Sequence, residues 1–388
     1  MTTTEKPIAQ HGLAAHSDGP VLPPSTRADR ADAVGAPTGR EENWRFTPMK
    51  RLRALIPAQP ATGKAQIEVS GPEQVTVDTV GRDDVRLGAT GTPTEYVARS
   101  AFESFAEATV LTVPRDTQVA EPVLVTVTGP GAGQIAYGHL QVRAECLAEA
   151  VVVLDYRGCG AYADNVEFLV AEGAKLTVVA VHDWADDAVH LTSHEAELGR
   201  DATFRHTVVT LGGDLVRVAP TVRYSAKGGD AELTGLYFAD AGQHLEHRTF
   251  IDHSAPHCRS NVTYKGALQG ESAHTVWIGD VLIRAAAEGT ETFELNRNLV
   301  LTDGARADSV PNLEIETGEI AGAGHASATG RFDDEQLFYL QARGIPEDQA
   351  RRLVVRGFFA EVLNRIAVPS VRERLEAAIE AELTVVGA

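Results

Sequence analysis

The chain has 388 residues and carries 54 Asp and Glu against 35 Lys and Arg, a formal charge of −19. That balance repels phosphate backbones and anionic bilayers, so direct nucleic-acid or membrane-surface binding is excluded as a main role. The length suffices for a large buried core, and no apolar run approaches the ~20 residues of a membrane helix.

The opening "MTTTEKPIAQHGLAAHSDG" lacks the charged start and apolar stretch of a secretory leader, and Cys146, Cys159 and Cys258 form no C-x-x-C pair. A reduced, cytoplasmic protein without disulfides is expected, with Cys146 and Cys159 as core thiols in apolar stretches.

In chain order, residues 1–38 are rich in Pro, Ala, Ser, Thr and Asp. They hold too few large apolar side chains to offset ordering entropy, which predicts a disordered arm. Residues 39–108 are expected to be a mainly helical segment. In "ENWRFTPMKRLRALIP", Thr47 and Pro48 read as N-cap and first turn of a short helix that Pro57 closes. In "TPTEYVARSAFESFAEA", Thr92 and Glu95 read as a capping box, with Val97, Ala101 and Phe105 on one helical face.

From 109 to 330 the runs "VLTVP", "PVLVTVTG", "VVVLDYRG", "KLTVVAVHD" and "TFRHTVVTLGG" are short, β-rich and closed by turn residues, with no helix between them. Turns every 8 to 12 residues over such a length indicate all-β architecture. A solenoid of stacked coils fits better than an oversized sandwich, because each coil needs only its neighbours. Without a strict repeat, spacing leaves the sandwich as the alternative.

Residues 331–388 read as a C-terminal helical domain. "DDEQLFYLQARG" starts on Asp caps and stops at Gly344. Pro346 opens a helix with Ala350, Leu353, Val354, Phe358, Val362 and Ile366 on one face, and Pro369 opens another with Val371, Leu375, Ile379 and Leu383. Such helices can cap a solenoid end, cover a partner, or both.

"IDHSAPHCRSN" places His253, His257 and Cys258 close together, residue types that ligate zinc, copper or iron. On a strand, His253 and His257 share a face while Cys258 points away, so structural roles are expected there. No G-x-S-x-G, P-loop or H-E-x-x-H motif occurs, and "GAGQIAYG" opens no helix. The chain reads as a scaffold with no catalytic residues.

The segments "HSAPHCRSNVTYKGAL", "NRNLVLTDGARADSVPNLEIETGEI" and "GHASATGRFDDEQLFYLQARGI", together with "ENWRFTPMKRL", closely resemble the SufB/SufD family of iron–sulfur cluster assembly proteins. The resemblance runs from about Glu41 to Ile366 and is nearer the SufD branch. It implies a right-handed parallel β-helix between helical terminal segments. It also implies a non-catalytic subunit that pairs with a SufB paralogue through the β-helix and with a SufC ABC-type ATPase through the C-terminal helices. The family's "HGA-x-x-G" block falls on His325, Ala326, Ser327 and Gly330, which implies that His325 accepts iron or the nascent cluster at the SufB–SufD interface. Ala323 stands where many members have cysteine. By this resemblance no cofactor is stably bound by the chain alone: iron or an iron–sulfur cluster is held transiently at the interface, and ATP sits on SufC. Phe338, Tyr339, Phe358 and Phe359 form the expected partner-binding surface, with the more exposed of Phe358 and Phe359 as anchor. Alternatives are a SufB-like or homo-oligomeric scaffold carrying a cluster itself, a homodimer in isolation, and a polysaccharide-active β-helix enzyme.

Overall fold

Ten-residue strands of alternating pattern, broken by turns at similar intervals, can bury both edges by stacking coil upon coil. The computed structural model describes residues 35–383 apart from 94 and 333. The expected arm, residues 1–38, therefore lies outside the described residues except for 35–38. Strands β1 (Gln66–Ser70) and β2 (Thr76–Gly81) are followed by helix α1 (Tyr96–Ser104) and then by an unbroken series from β3 (Glu107–Val113) to β18 (Gly322–Arg331). Even-numbered strands from β4 (Val123–Thr128) onward, with β1 at the edge, form one nine-stranded sheet. Odd-numbered strands from β3 to β17 (Arg306–Ile315), with β2 at the edge, form the other. Pairing is parallel except at β1–β4 and β2–β3. The result is a β-solenoid of about 8 turns. In the even sheet Glu149, Lys175, Thr203, Asp230, Arg259, Glu291 and Gly322 lie in register, 26 to 32 residues apart. This uneven step is why no strict repeat shows in the sequence.

Alternate side chains fill the interior. Where two tyrosines enter it, glycine makes room on the next coil. β12 (Asp230–Ala239) and β14 (Arg259–Leu268) pair Gly235 with Tyr264 and Tyr237 with Gly266. A Cβ at either glycine would collide with the facing ring. Each glycine is thus the space its neighbour's ring occupies.

The segment 39–108 is less helical than its sequence suggested: it holds β1, β2, α1 and two 3-10 turns at Glu42–Trp44 and Met49–Leu52. Thr47 caps nothing. Its hydroxyl donates to Glu246 Oε2 at 2.7 Å. Glu246 is buried on β13 (His244–His253) and also accepts from Arg217 Nε at 3.1 Å, while the Arg217 guanidinium lies 4.2 Å from the centre of the Trp44 ring. A buried ion pair needs its remaining lone pairs satisfied, and the N-terminal segment supplies that. At α1 the cap is Glu95 itself, whose carboxylate accepts from the Ala98 N–H, so the Thr92–Glu95 box does not form. Val97, Ala101 and Phe105 are buried as expected.

Helices α2 (Asp334–Gln341), α3 (Glu347–Leu363) and α4 (Pro369–Glu382) complete the described chain. The Asp cap expected at position 333 lies outside the described residues. Gly344 ends the first of these helices at φ +83. α3 and α4 lie on the outer flank of the even sheet, where Phe359, Val362, Leu375 and Ile379 cluster with Val179, Val209, Leu236 and Phe238. The buried stripe of α3 runs through Ala350, Val355, Phe359 and Val362, and Leu353 is 50% exposed, so the inward face is rotated from the one expected. Among the described residues the helices flank the solenoid and none covers its last coil: His325 to Arg331 of β18 are all exposed.

Candidate functional site

The last coils reverse the usual inside–outside rule. On β16 (Glu291–Val300), "ETFELNRNLV", the buried positions are Thr292, Glu294, Asn296, Asn298 and Val300, while Phe293 is 46% exposed. The inward polar groups bond to one another. Asn296 Nδ2 donates to the Tyr237 hydroxyl at 2.9 Å, and that hydroxyl donates to Asn298 Oδ1 at 2.7 Å. Ser309 Oγ donates to Asn296 Oδ1 at 2.6 Å, and Asn298 Nδ2 reaches Thr329 Oγ1 on β18 at 3.3 Å. This polar network, rather than an apolar plug, underlies the open end. Glu294 is buried beside it, and burial, then Asp280, push its carboxyl well above the usual range. A buried carboxyl in that state is the neutral acid.

His325 lies on β18, in register with Glu294. It belongs to the terminal strand of the all-β region and is exposed there. One imidazole can serve as a single ligand to iron, and a cluster is normally held by several side chains. A metal held there would need further ligands from outside, because no group of three or more His, Cys, Asp or Glu side chains among the described residues could hold a metal ion.

The "IDHSAPHCRSN" residues are structural. His253 is buried, its Nε2 2.9 Å from Ser260 Oγ and its ring stacked on Tyr224 at 4.8 Å. His257 is exposed at a turn with φ +57, and Cys258 Sγ is 3.5 Å from the Pro256 carbonyl, with burial pushing the thiol up. The strand ends at His253, so face alternation does not reach His257. Cys146 and Cys159 are half-buried turn residues rather than core thiols.

Of the expected partner-binding aromatics, Phe338 is 71% and Tyr339 56% exposed on α2. Phe358 is half-buried. Phe359 is fully buried, 6.5 Å from Phe238 between ring centres, and offers no surface. It is a core contact because α3 turns that face to the sheet. Sequence reasoning missed the inward polar residues of β16. Their signal was the alternation of polar positions in "ETFELNRNLV", readable only once polar is allowed to mean inside.

These features define the class, a two-sheet β-solenoid protein with flanking terminal segments. The sequence pattern described as "SUF system FeS cluster assembly, SufBD core domain" matches residues 126–358. The chain belongs to the SufBD family of iron–sulfur cluster assembly proteins, whose members are scaffold-type components. An iron–sulfur cluster assembly SufBD family protein of Mycobacterium tuberculosis is 66% identical over 99% of this chain and 98% of its own length. The counterpart in Mycobacterium leprae is 63% identical over 91% and 92%. The iron–sulfur cluster assembly protein SufD of Escherichia coli is similar at 25% identity over 89% of each chain.

Proposed function

We propose that this chain is a SufD-like, non-catalytic scaffold subunit of a SUF assembly complex. It pairs with a SufB-type paralogue at the open β18 end, and a SufC-type ATPase docks on the C-terminal helices. The observation that carries the reading is His325, exposed on an uncapped terminal strand. There a ligand set for iron or a nascent cluster is completed only by a second chain. Exposed Phe338, Tyr339 and Leu353 support docking of the ATPase on α2 and α3. Free thiols at Cys146, Cys159 and Cys258 suit a reducing cytoplasm. Cys146 and Cys159 flank the ten-residue strand Glu149–Gly158, roughly 30 Å long, which argues against a cluster held by this chain unaided.

The test is anaerobic reconstitution on the co-expressed three-protein complex, read by visible absorbance at matched subunit content. His325→Ala is expected to leave assembly of the complex unchanged and to lower cluster formation at least tenfold. Wild-type cluster formation by this variant removes His325 from the site. Failure of the chain to co-purify with the paralogue removes the pairing.

A further inference from the structure

A second histidine cluster lies on the outer flank of the odd sheet, on β13 and β15 (His274–Ile283), next to its terminal strand β17. β13 begins with His244 and β15 begins with His274, in register on adjacent strands. Their Nδ1 atoms face one another at 3.1 Å. The opposite nitrogen of each ring is committed to a carboxylate. His244 Nε2 is 3.1 Å from Glu246 Oε2, and His274 Nε2 is 2.7 Å from Asp308 Oδ2. Both carboxylates are also paired with guanidinium groups, Glu246 with Arg217 at 3.1 Å and Asp308 with Arg306 at 2.8 Å. A carboxylate so paired is ionised and only accepts, so each Nε2 carries the ring's proton. In that tautomer the two Nδ1 atoms turn their lone pairs toward one another.

We propose that His244 and His274 bind a divalent transition-metal ion between their Nδ1 atoms. With metal–nitrogen bonds of about 2.05 Å, an Nδ1–Nδ1 separation of 3.1 Å corresponds to an angle of roughly 100° at the metal, near the tetrahedral value. The carboxylate–histidine–metal arrangement is the one that fixes tautomer and raises ligand basicity, and here it occurs on both rings. Glu246 and Asp308 offset the ion's charge without ligating it. The side chains of His274 and Asp308 are 22% and 20% exposed, which leaves the outer coordination positions to water or a partner's side chain. Imidazole pairs suit zinc, copper and nickel over magnesium or calcium.

The experiment uses the untagged full-length chain, stripped with chelator and titrated with Zn2+ by calorimetry and with Co2+ by visible absorption. One equivalent is expected, lost in His274→Ala and in His274→Gln, weakened about 10- to 100-fold in Asp308→Asn, and retained in His325→Ala. Thermal unfolding of the stripped variants confirms that the fold persists. Retention of this equivalent by both His274 variants overturns the site, as does a wild-type chain that binds none. So does nitrogen NMR of the zinc-loaded chain showing a proton on either Nδ1. Because His325 is the control, failure of this proposal leaves the cluster-assembly reading untouched.

Discussion

β14 and β18 have the same length and belong to the same sheet, yet eight residues of the first are buried while seven of the second are exposed. Length and the direction of pairing do not distinguish them. What differs is cover: β14 has strands on both sides and α3 against its outer face, with Lys265 Nζ donating to the Phe358 carbonyl at 3.1 Å. β18 has β16 on one side only. Its sequence, "GAGHASATGR", matches that condition, being small and polar where "RSNVTYKGAL" carries a tyrosine and a leucine. An exposed terminal strand of large apolar residues would aggregate, whereas one of small residues stays soluble and still lets another backbone approach. The middle coils are finished by their own chain; on the proposed function the last coil is finished by another.

Acid should break this contrast most strongly. His206, His247 and His253 sit in the interior of the middle coils, and burial pushes each down to about 3. For a histidine whose folded value is depressed, stability falls as pH drops below about 6.5, where the unfolded chain takes up protons, and levels off near 3, where the folded chain does too. Each contributes about 1.4 kcal/mol per pH unit in that window, so the three together lose about 4 kcal/mol per unit. The urea midpoint should therefore fall steeply between pH 6.5 and pH 5; a flat profile would show these rings to be hydrated. A smaller effect separates flank from surface. Phe359→Ala should cost about 3–5 kcal/mol in equilibrium unfolding, and Phe338→Ala less than about 0.5 kcal/mol. Equal costs would mean that α3 is not docked as described. The smallest effect is at the open end, where His325→Ala should change the stability of the isolated chain by less than about 0.5 kcal/mol by the same measurement. A larger loss would make His325 a structural residue.

Much of this was legible beforehand. Turn spacing marked the all-β region, and Val371, Leu375 and Ile379, buried on α4, announced themselves by their four-residue steps. The face of α3 was misjudged because Leu353 and Phe359 are equally apolar, and only contact with Phe238 decides between them. The Glu95 cap was hidden by Thr92, a better capping type three residues earlier, since a cap is defined by backbone geometry rather than residue type. His325 was found through resemblance, and it lies within the all-β span expected for 109–330, although "GHASATGR" carries no β-branched run of its own. Least visible were the histidine pairs. His244 and His274 are 30 residues apart in sequence, and only the coil register makes them neighbours.

The clamp on Glu246 sets an order of events during synthesis. Thr47 is joined to a residue 199 positions further along, and Arg51 to the carbonyl of Gly242, 191 positions away. At about 5–20 residues per second, the ribosome needs roughly 10–40 s between making Thr47 and making its partner. Throughout that interval the Thr47 hydroxyl lacks its Glu246 partner. The first described turns of the polypeptide are therefore not fully tied down until β13 has been made, and the completed Thr47 bond reports that the coils through β13 are present.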